Sequence, residues 1–313
     1  MRIVFATDIH GSEQCYRKFL NSARIYRADL MILGGDITGK VLVPIVQRSG
    51  TWTAFVAGKE TTAETTEELR QLRQLIRLSG QYAITVAPDE KAALDSDQEL
   101  RHQAFRHAML GTVSDWVELA AERLEPQRIP MITMPGNDDW HDVEEALDKA
   151  EYITSAEGRT ITLPDDYTLV SYGYSNKTPW DSPRELDDET LGLRLRELVE
   201  PLADTSRAIY NFHVPPLASS LDQAPALSAD FKPRAKGGQV EMTDAGSRAV
   251  REIIETTQPL LGLHGHIHES KGMEKLGRTV CINPGSEYGT GMLKLALLEL
   301  RKGKVRSWQL ITG

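Results

Sequence analysis

Residues 2–11 read RIVFATDIHG, an apolar run that stops at an aspartate, a histidine and a glycine. Such a run predicts a short buried strand followed by a tight turn. Residues 12–26 carry apolar side chains at helical spacing, and 30–33 (LMIL) read as a second strand that ends at Gly34-Gly35-Asp36. The order strand, helix, strand favours a βαβ unit, whose polar side chains collect where the strands end.

The same pattern, an apolar strand followed by Asp, Asn or His in a turn, occurs five times. Taken singly, each turn is also compatible with a simple turn aspartate, a helix cap or a packed histidine. Because the carboxyl ends of parallel strands share one edge of a sheet, the five together predict a single polar site. These five turns are Asp8-Ile9-His10, Gly35-Asp36, Gly136-Asn137-Asp138-Asp139, His213 and Gly265-His266-Ile267-His268.

The five turns offer carboxylates, one amide and four imidazoles. Mixed oxygen and nitrogen donors suit transition metals rather than Ca²⁺ or Mg²⁺. The set is larger than one catalytic tetrahedral site uses, and it fits two metals that share a carboxylate about 3.5–4 Å apart. We therefore expect two divalent transition-metal ions, with Mn, Fe and Zn as the leading candidates.

The motif order D-x-H, G-D, G-N, H, G-H-x-H resembles the calcineurin-like metallophosphoesterase superfamily. The resemblance covers residues 1–39 and 129–300, and the G-N-D-D form with the stretch 213–286 is most similar to the Icc-related predicted phosphoesterases of bacteria and archaea. It implies an α/β fold, a four-layer α-β-β-α sandwich. We expect one such domain over 1–313, with a mostly helical insertion at about 40–128.

The resemblance also implies a ligand set. One metal would be held by Asp8, His10, Asp36 and His268, and the other by Asp36, Asn137, His213 and His266, so that Asp36 bridges the two. The implied reaction is hydrolysis of phosphate esters by attack of a metal-bridging hydroxide, with diesters preferred over monoesters.

The third motif departs from the family pattern. Asp138 stands where the family usually has a histidine that assists the leaving group, and Asp139 matches the carboxylate that partners that histidine. Metals favour the anionic form of a carboxylate, so Asp138 is expected to organise water rather than to donate a proton. His264 lies two residues before His266 and is expected to support the site. These three residues are the candidate catalytic groups.

The middle of the chain has a different pattern. We expect a hairpin over 41–56, a helix over 65–78, a strand over 81–86 and mostly helix over 89–124. This insertion is expected to supply no metal ligand and to act as a cap, as a side lobe or as a contact in a homo-oligomer. The loop 229–238 contains Lys and Arg residues and is interpreted either as a solvated loop or as a clamp for the substrate anion.

Composition also limits the class of protein and its partners. Lys and Arg number 36 against 45 Asp and Glu, and the net charge of −9 argues against duplex nucleic acid binding and a repair nuclease. Two cysteines give no disulfide framework, and no apolar run reaches the roughly 20 residues of a membrane span. We therefore expect a cytoplasmic enzyme that acts on a small phosphate ester, without a membrane partner.

Two alternatives share the fold. A non-catalytic scaffold would have lost metal ligands, whereas every ligand position here is filled. A protein Ser/Thr phosphatase would carry the longer G-D-x-V-D-R-G signature, whereas residues 35–39 read GDITG. Metal analysis separates the scaffold from the enzymes.

Overall fold

The computed structural model describes residues 1–313. None of its helices has both the length and the apolar character that crossing a bilayer requires. The helices are α1 (Glu13–Ile25), α2 (Thr66–Leu78), α3 (Pro88–Ser96), α4 (Gln98–Leu124), α5 (His141–Asp148), α6 (Asp188–Val199) and α7 (Arg248–Thr257). The strands are β1 (Arg2–Ala6), β2 (Leu30–Gly34), β3 (Val41–Arg48), β4 (Thr51–Val56), β5 (Lys59–Ala63), β6 (Gln81–Val86), β7 (Met131–Met134), β8 (Ile153–Ser155), β9 (Arg159–Leu163), β10 (Tyr167–Tyr172), β11 (Ser175–Asn176), β12 (Glu185–Leu186), β13 (Ala208–Phe212), β14 (Gln223–Pro225), β15 (Ala235–Lys236), β16 (Gln239–Val240), β17 (Met242–Asp244), β18 (Leu261–Leu263), β19 (Gly272–Leu276), β20 (Thr279–Asn283), β21 (Lys294–Arg301) and β22 (Lys304–Thr312).

Two six-stranded sheets form the centre of the molecule. The first has the strand order β22-β21-β1-β2-β7-β8 and the second has the order β19-β20-β18-β13-β10-β9. In the first sheet β1, β2, β7 and β8 run parallel, and in the second β10, β13, β18 and β20 do. The parallel strands bring the turns that follow them to a common edge of each sheet, as the sequence predicted.

The core consists of three apolar layers, because successive side chains of a strand point to opposite faces. In β1, Ile3 and Phe5 pack between the two sheets, while Val4 and Ala6 pack beneath α1, α4 and α5. The outer face of the second sheet packs on α6 and α7, for example through Val250. The predicted four-layer α-β-β-α sandwich is therefore confirmed.

The segment 40–128 contains a four-stranded sheet of its own, with the order β5-β4-β3-β6. Its inner face and α2 enclose a small separate core that includes Ile45, Leu72 and Ile76. The start of α2 is fixed by a reciprocal cap between Thr65 and Glu68. The hairpin, helix and strand predicted for this segment are present, and β5 is an additional strand that alternation in the sequence did not reveal.

Helix α4 joins this segment to the sandwich. Its second half is buried against α1, where the rings of Tyr16 and Trp116 stack with centroids 4.2 Å apart. The Tyr16 hydroxyl donates to the Trp116 carbonyl oxygen at 2.8 Å. A second connection involves β6, where the hydroxyl of Tyr82 accepts a hydrogen bond from the Gly39 N–H at 2.7 Å. The inserted sheet is thus fixed to the turn that follows Asp36.

Candidate metal centre

The structure brings all seven predicted ligands to one edge of the sandwich. The turns that carry them follow five parallel strands, β1, β2 and β7 of the first sheet and β13 and β18 of the second. The site therefore lies where the two sheets face each other, and none of the seven comes from the segment 40–128. The seven are Asp8, His10, Asp36, Asn137, His213, His266 and His268.

Ligand atoms form two groups, within each of which every atom lies less than 4.8 Å from the others. The first group is Asp8, His10, Asp36 and His268, and the second is Asp36, His213 and His266. Asn137 joins the second group, because its Oδ1 lies 2.7 Å from His266 Nδ1. Asp36 belongs to both groups, which is the arrangement that the family resemblance implies.

The separations within the groups fit ligands that share a cation. His10 Nε2 lies 3.0 Å from His268 Nε2 and 3.6 Å from Asp36 Oδ2. His213 Nε2 lies 3.4 Å from Asp36 Oδ2, and His268 Nε2 lies 3.4 Å from Asp8 Oδ1. Neighbouring ligands of a metal bound at about 2.1 Å lie roughly 3 Å apart.

His213 provides the clearest test of whether a metal fits. Its Nδ1 lies 2.9 Å from the Gly34 carbonyl oxygen, which can only accept, so Nδ1 carries a proton. Nε2 is buried, faces Asp36 and has no hydrogen-bond partner. A metal-ligating histidine is commonly oriented in this way, with its other ring nitrogen bonded to a carbonyl or carboxylate. The residues present therefore fit a bound cation.

Burial and mutual interactions shift the pKa values of the clustered side chains in different directions. Burial alone would lower the pKa of His213, but the carboxylates of Asp36 and Asp8 raise it to about 10. Burial and the neighbouring Asp138 raise the pKa of Asp36 to about 7, although His213 opposes them. Burial lowers the pKa of His266 to about 3, which keeps its imidazole neutral and able to bind a metal.

The backbone at the ligands is strained. Asp8, His10, Asp36 and His266 all have positive φ, with values of 52°, 39°, 48° and 66°. Such conformations cost on the order of 1–3 kcal/mol each and concentrate at functional sites. The ligand turns are also closely packed, since a Cβ added at Gly136 would overlap Asp36 Oδ1.

Asp139 is fully buried and lies behind the ligands rather than among them. Its carboxylate accepts hydrogen bonds from the backbone N–H groups of Ile37, Thr38 and Gly136 at 3.0, 2.8 and 2.8 Å. The Thr38 hydroxyl donates to it as well. Asp139 thereby ties the turn that carries Asp36 to the turn that carries Asn137, so its acceptor capacity is already used.

Asp138 faces the site and is paired with Lys40. Its carboxylate also accepts from the Ser182 hydroxyl and, at 3.2 Å, from the amide of Asn137. Burial would raise the pKa of Asp138, but the charge of Lys40 and the hydrogen bonds from Lys40 and Ser182 bring it down to about 2. This carboxylate is therefore ionised at neutral pH, and its proposed role as an organiser of water stays a prediction.

The structure does not bring His264 into the cluster. The residue is fully buried, and its Nδ1 lies 2.8 Å from the Phe212 carbonyl oxygen. Its Nε2 lies close to Gly262, on the face of the second sheet that also carries Cys281. Burial lowers the pKa of His264 to about 4, so the ring is neutral. It supports the strand that precedes His266 and does not line the site.

Three residues near the site are not evident from the sequence. Lys40 falls at the edge of the predicted insertion, and only its pairing with Asp138 reveals it. The ring of Tyr288 lies 4.6 Å from that of His10 and closes one side of the cluster. Arg184 is fully buried, and its backbone N–H donates to the Asn137 carbonyl oxygen at 3.0 Å. None of the three lies at the end of a predicted strand.

Arg184 is held from several sides. Its guanidinium lies 2.9 Å from Glu144 and 3.0 Å from Glu157, and it stacks over the ring of Tyr174 at 4.4 Å. A buried cation needs such compensation, because an unpaired one would be strongly destabilising. This network fixes the segment on which Asn137 rests.

Two of the three cations in the basic loop at 229–238 are paired with nearby acids. Lys232 lies 2.7 Å from Asp230, and Arg234 lies 3.0 Å from Glu241. Lys236 is exposed and makes no ion pair. Because Lys232 and Arg234 are paired in this way at the surface, they fit a solvated loop better than a clamp for the substrate anion.

No family model matches the chain. The uncharacterized protein MJ1162 of Methanocaldococcus jannaschii is 28% identical over 156 residues, which is 49% of this chain and 63% of that protein. The match therefore spans less than two thirds of the relative's length. Among solved structures, TT1561 of Thermus thermophilus is 16% identical, with coverage of 100% and 97% of the two chains and a TM-score of 0.53. A novel archaeal phosphodiesterase is 11% identical, with coverage of 100% and 99% and a TM-score of 0.39.

The similarity to TT1561 supports the fold over nearly the whole of both chains. Two facing sheets with helices on both outer faces, and five polar turns at the ends of parallel strands, form the architecture that the sequence resemblance implies. The fold is therefore the one that the motif order implied.

Proposed function

We propose that this protein is a metal-dependent phosphoesterase with a dinuclear centre. The observation that supports this most strongly is the position of Asp36, whose carboxylate belongs to two ligand groups at once. The buried Nε2 of His213 is the second support, because it faces the carboxylate of Asp36 without a hydrogen-bond partner while Nδ1 is bonded to a carbonyl oxygen, which is how a metal-ligating histidine is oriented.

Each residue has a defined task in this proposal. Asp8, His10 and His268 hold the first cation, Asn137, His213 and His266 hold the second, and Asp36 holds both. When bound, two divalent cations of the Mn, Fe or Zn type neutralise phosphate oxygens and lower the pKa of a water that they share. Asp139 and the buried Arg184 keep the ligand turns in place.

A preference for diesters follows from the charge at the mouth of the site. Asp138 is ionised and its side chain is 17% exposed, so it faces any bound substrate. At neutral pH a phosphate monoester is mostly a dianion, whereas a diester is a monoanion. Lys40 offsets part of this charge, and the carboxylate of Asp138 repels the monoanionic diester less than the dianionic monoester. The substrate is proposed to be a small molecule, since the acidic surface disfavours duplex nucleic acid.

The cellular setting and the inserted segment complete the proposal. Cys15 and Cys281 are both free and buried, which is compatible with the reducing cytoplasm. The segment 40–128 is proposed to act as a side lobe whose first residue, Lys40, reaches the site.

The test is a hydrolysis screen on protein stripped of metal and then supplied with Mn²⁺, Zn²⁺ or Fe²⁺. Nitrophenyl diesters and monoesters are compared, and Asp36→Asn serves as the inactive control. We expect metal-dependent release of nitrophenol that is faster from the diester. If the wild-type protein binds two metals and cleaves no ester, the enzyme hypothesis is contradicted. The non-catalytic scaffold is then the remaining hypothesis.

A further inference from the structure

Lys40 is the one Lys or Arg side chain that is paired with a residue of the five strand-end turns. It precedes β3, and its ammonium group contacts the Asp138 carboxylate. The Lys40 side chain is 50% exposed, so the ammonium group remains accessible from the mouth of the site.

The backbone that leads into Lys40 is fixed by its neighbours. Gly39 donates to the Tyr82 hydroxyl, and a Cβ added at Gly39 would overlap the Gly80 carbonyl oxygen. A Cβ added at Gly80 would in turn overlap the His10 carbonyl oxygen. The start of the inserted sheet is therefore packed directly on the ligand turns, and Lys40 emerges from a rigid junction.

Asp138 fixes the other end of the side chain. Its carboxylate is oriented by the Ser182 hydroxyl and by the amide of Asn137, and its own N–H donates to Asp36 Oδ1 at 3.0 Å. The ammonium group is thus held by a residue that follows the proposed ligand Asn137 and is hydrogen-bonded to the proposed ligand Asp36. A donor that is already positioned loses little entropy when substrate binds, which makes it effective in a transition state.

From this geometry we propose that Lys40 binds the leaving-group oxygen of the phosphate ester and that Asp138 positions Lys40. The proposal rests on the proposed phosphoesterase function. In hydrolysis the oxygen of water forms a bond to phosphorus and its proton passes to solvent. The bond from phosphorus to the leaving oxygen breaks, and that oxygen departs with the electron pair as an oxyanion. Lys40 stabilises the oxyanion by a charge-assisted hydrogen bond and keeps its own proton, while solvent protonates the alcohol after release.

The test uses a series of diesters whose leaving groups range from nitrophenol to simple alcohols, with Mn²⁺-loaded protein. A good leaving group needs little stabilisation, whereas a poor one needs much. We expect Lys40→Gln to lower kcat/KM about 10²-fold for alkyl esters and less than about 3-fold for nitrophenyl esters. Lys40→Arg keeps the charge and should retain most of the alkyl activity. Lys59→Gln, an exposed lysine of β5, is the matched control.

The role of Asp138 is tested by a double-mutant cycle. If Asp138 acts through Lys40, Asp138→Asn lowers kcat/KM for alkyl esters in the wild-type background. The same substitution causes little further loss of kcat/KM in the Lys40→Gln background. Equal losses across the leaving-group series, or fully additive losses in the cycle, would overturn the proposal. Metal content, measured on every variant, shows whether a loss comes from an empty site instead.

Binding of inorganic phosphate provides a readout without catalysis. Calorimetry on Mn²⁺-loaded protein should show about 10-fold weaker phosphate binding in Lys40→Gln and unchanged binding in Lys59→Gln. Should the wild type cleave no ester, the proposed function fails, and the phosphate titration still decides on Lys40. Unchanged phosphate binding in Lys40→Gln would then overturn its role as an anion-binding residue.

Discussion

Replacing Asp139 by alanine should damage the fold of the site without removing any proposed ligand. The carboxylate is fully buried and accepts three backbone N–H groups and one hydroxyl. Asp139→Ala leaves those three N–H groups without an acceptor, and each buried orphan costs about 1–3 kcal/mol. Since the turns can relax and admit some water, we expect the free energy of unfolding to fall by about 3–6 kcal/mol.

Chemical denaturation of metal-free protein measures this loss, because bound metal would add its own stabilisation. Two variants calibrate the result. Thr38→Val removes the hydroxyl donor alone and should cost about 1 kcal/mol. Asp139→Asn keeps one oxygen acceptor, so its loss in free energy of unfolding should lie between those of Thr38→Val and Asp139→Ala. If Asp139→Ala unfolds within about 1 kcal/mol of the wild type, Asp139 does not connect the two turns as we describe.

Three further perturbations test the surroundings of the site. Arg184→Met should lower the free energy of unfolding by about 3–5 kcal/mol, because it leaves the buried Glu157 without its cation; a loss below about 1 kcal/mol in guanidinium denaturation would contradict this. Asp138→His should lower, not raise, kcat/KM for alkyl esters, because Asp139 is already occupied and Lys40 loses its partner; a faster variant would refute that interpretation. Burial raises the pKa of Glu157 to about 7 from 4.5, so its stabilising contribution is complete below pH 4.5 and is lost as the pH rises through 7. Glu157→Gln should remove up to about 3 kcal/mol of that decline in a series of Tm measurements, and an unchanged pH profile would count against it.

The sequence contained most of the information on the sandwich and on the ligands. Strands such as β1 and β2 are short apolar runs that end at turn formers, and the rule that parallel strands share an edge then places Asp8 and Asp36 together. This inference needs no knowledge of side-chain packing, because backbone direction alone determines which residues meet. For the same reason, Asn137 could be assigned to the same edge, whereas His213 belongs to the second sheet and meets the others because the two sheets face each other.

Residues whose position depends on local turn geometry could not be distinguished. Asp138 and Asp139 are adjacent identical acids, yet one faces Lys40 and the other faces backbone N–H groups. Alternation predicts His264 near His266, because every second residue of an extended chain shares a face. The chain leaves the extended conformation after Leu263, and His266 has positive φ, so the alternation ends before it brings His264 to the site.

Residues that act through tertiary pairing escape sequence patterns altogether. Arg184 lies in an irregular segment with no periodicity, and only its two glutamate partners show why a buried cation is tolerated there. Lys40 stands at the boundary of the insertion, where sequence patterns give no information on which way a side chain points. The presence of such residues follows from contacts between distant parts of the chain.

The most direct test of the account is the metal content of the wild type and of two aspartate variants. Protein is stripped with chelator, loaded with Mn²⁺, freed of excess metal and analysed by elemental mass spectrometry and electron paramagnetic resonance. We expect two Mn²⁺ per wild-type chain with the spectrum of a magnetically coupled pair, since metals that share a carboxylate lie about 3.5–4 Å apart. Asp36→Asn should retain at most one Mn²⁺ and lose the coupling. The control Asp165→Asn should match the wild type, because Asp165 is exposed and precedes the amino end of β10, at the edge opposite the ligand turns. A single uncoupled Mn²⁺ in the wild type, or two coupled ions in Asp36→Asn, would contradict the bridging role of Asp36.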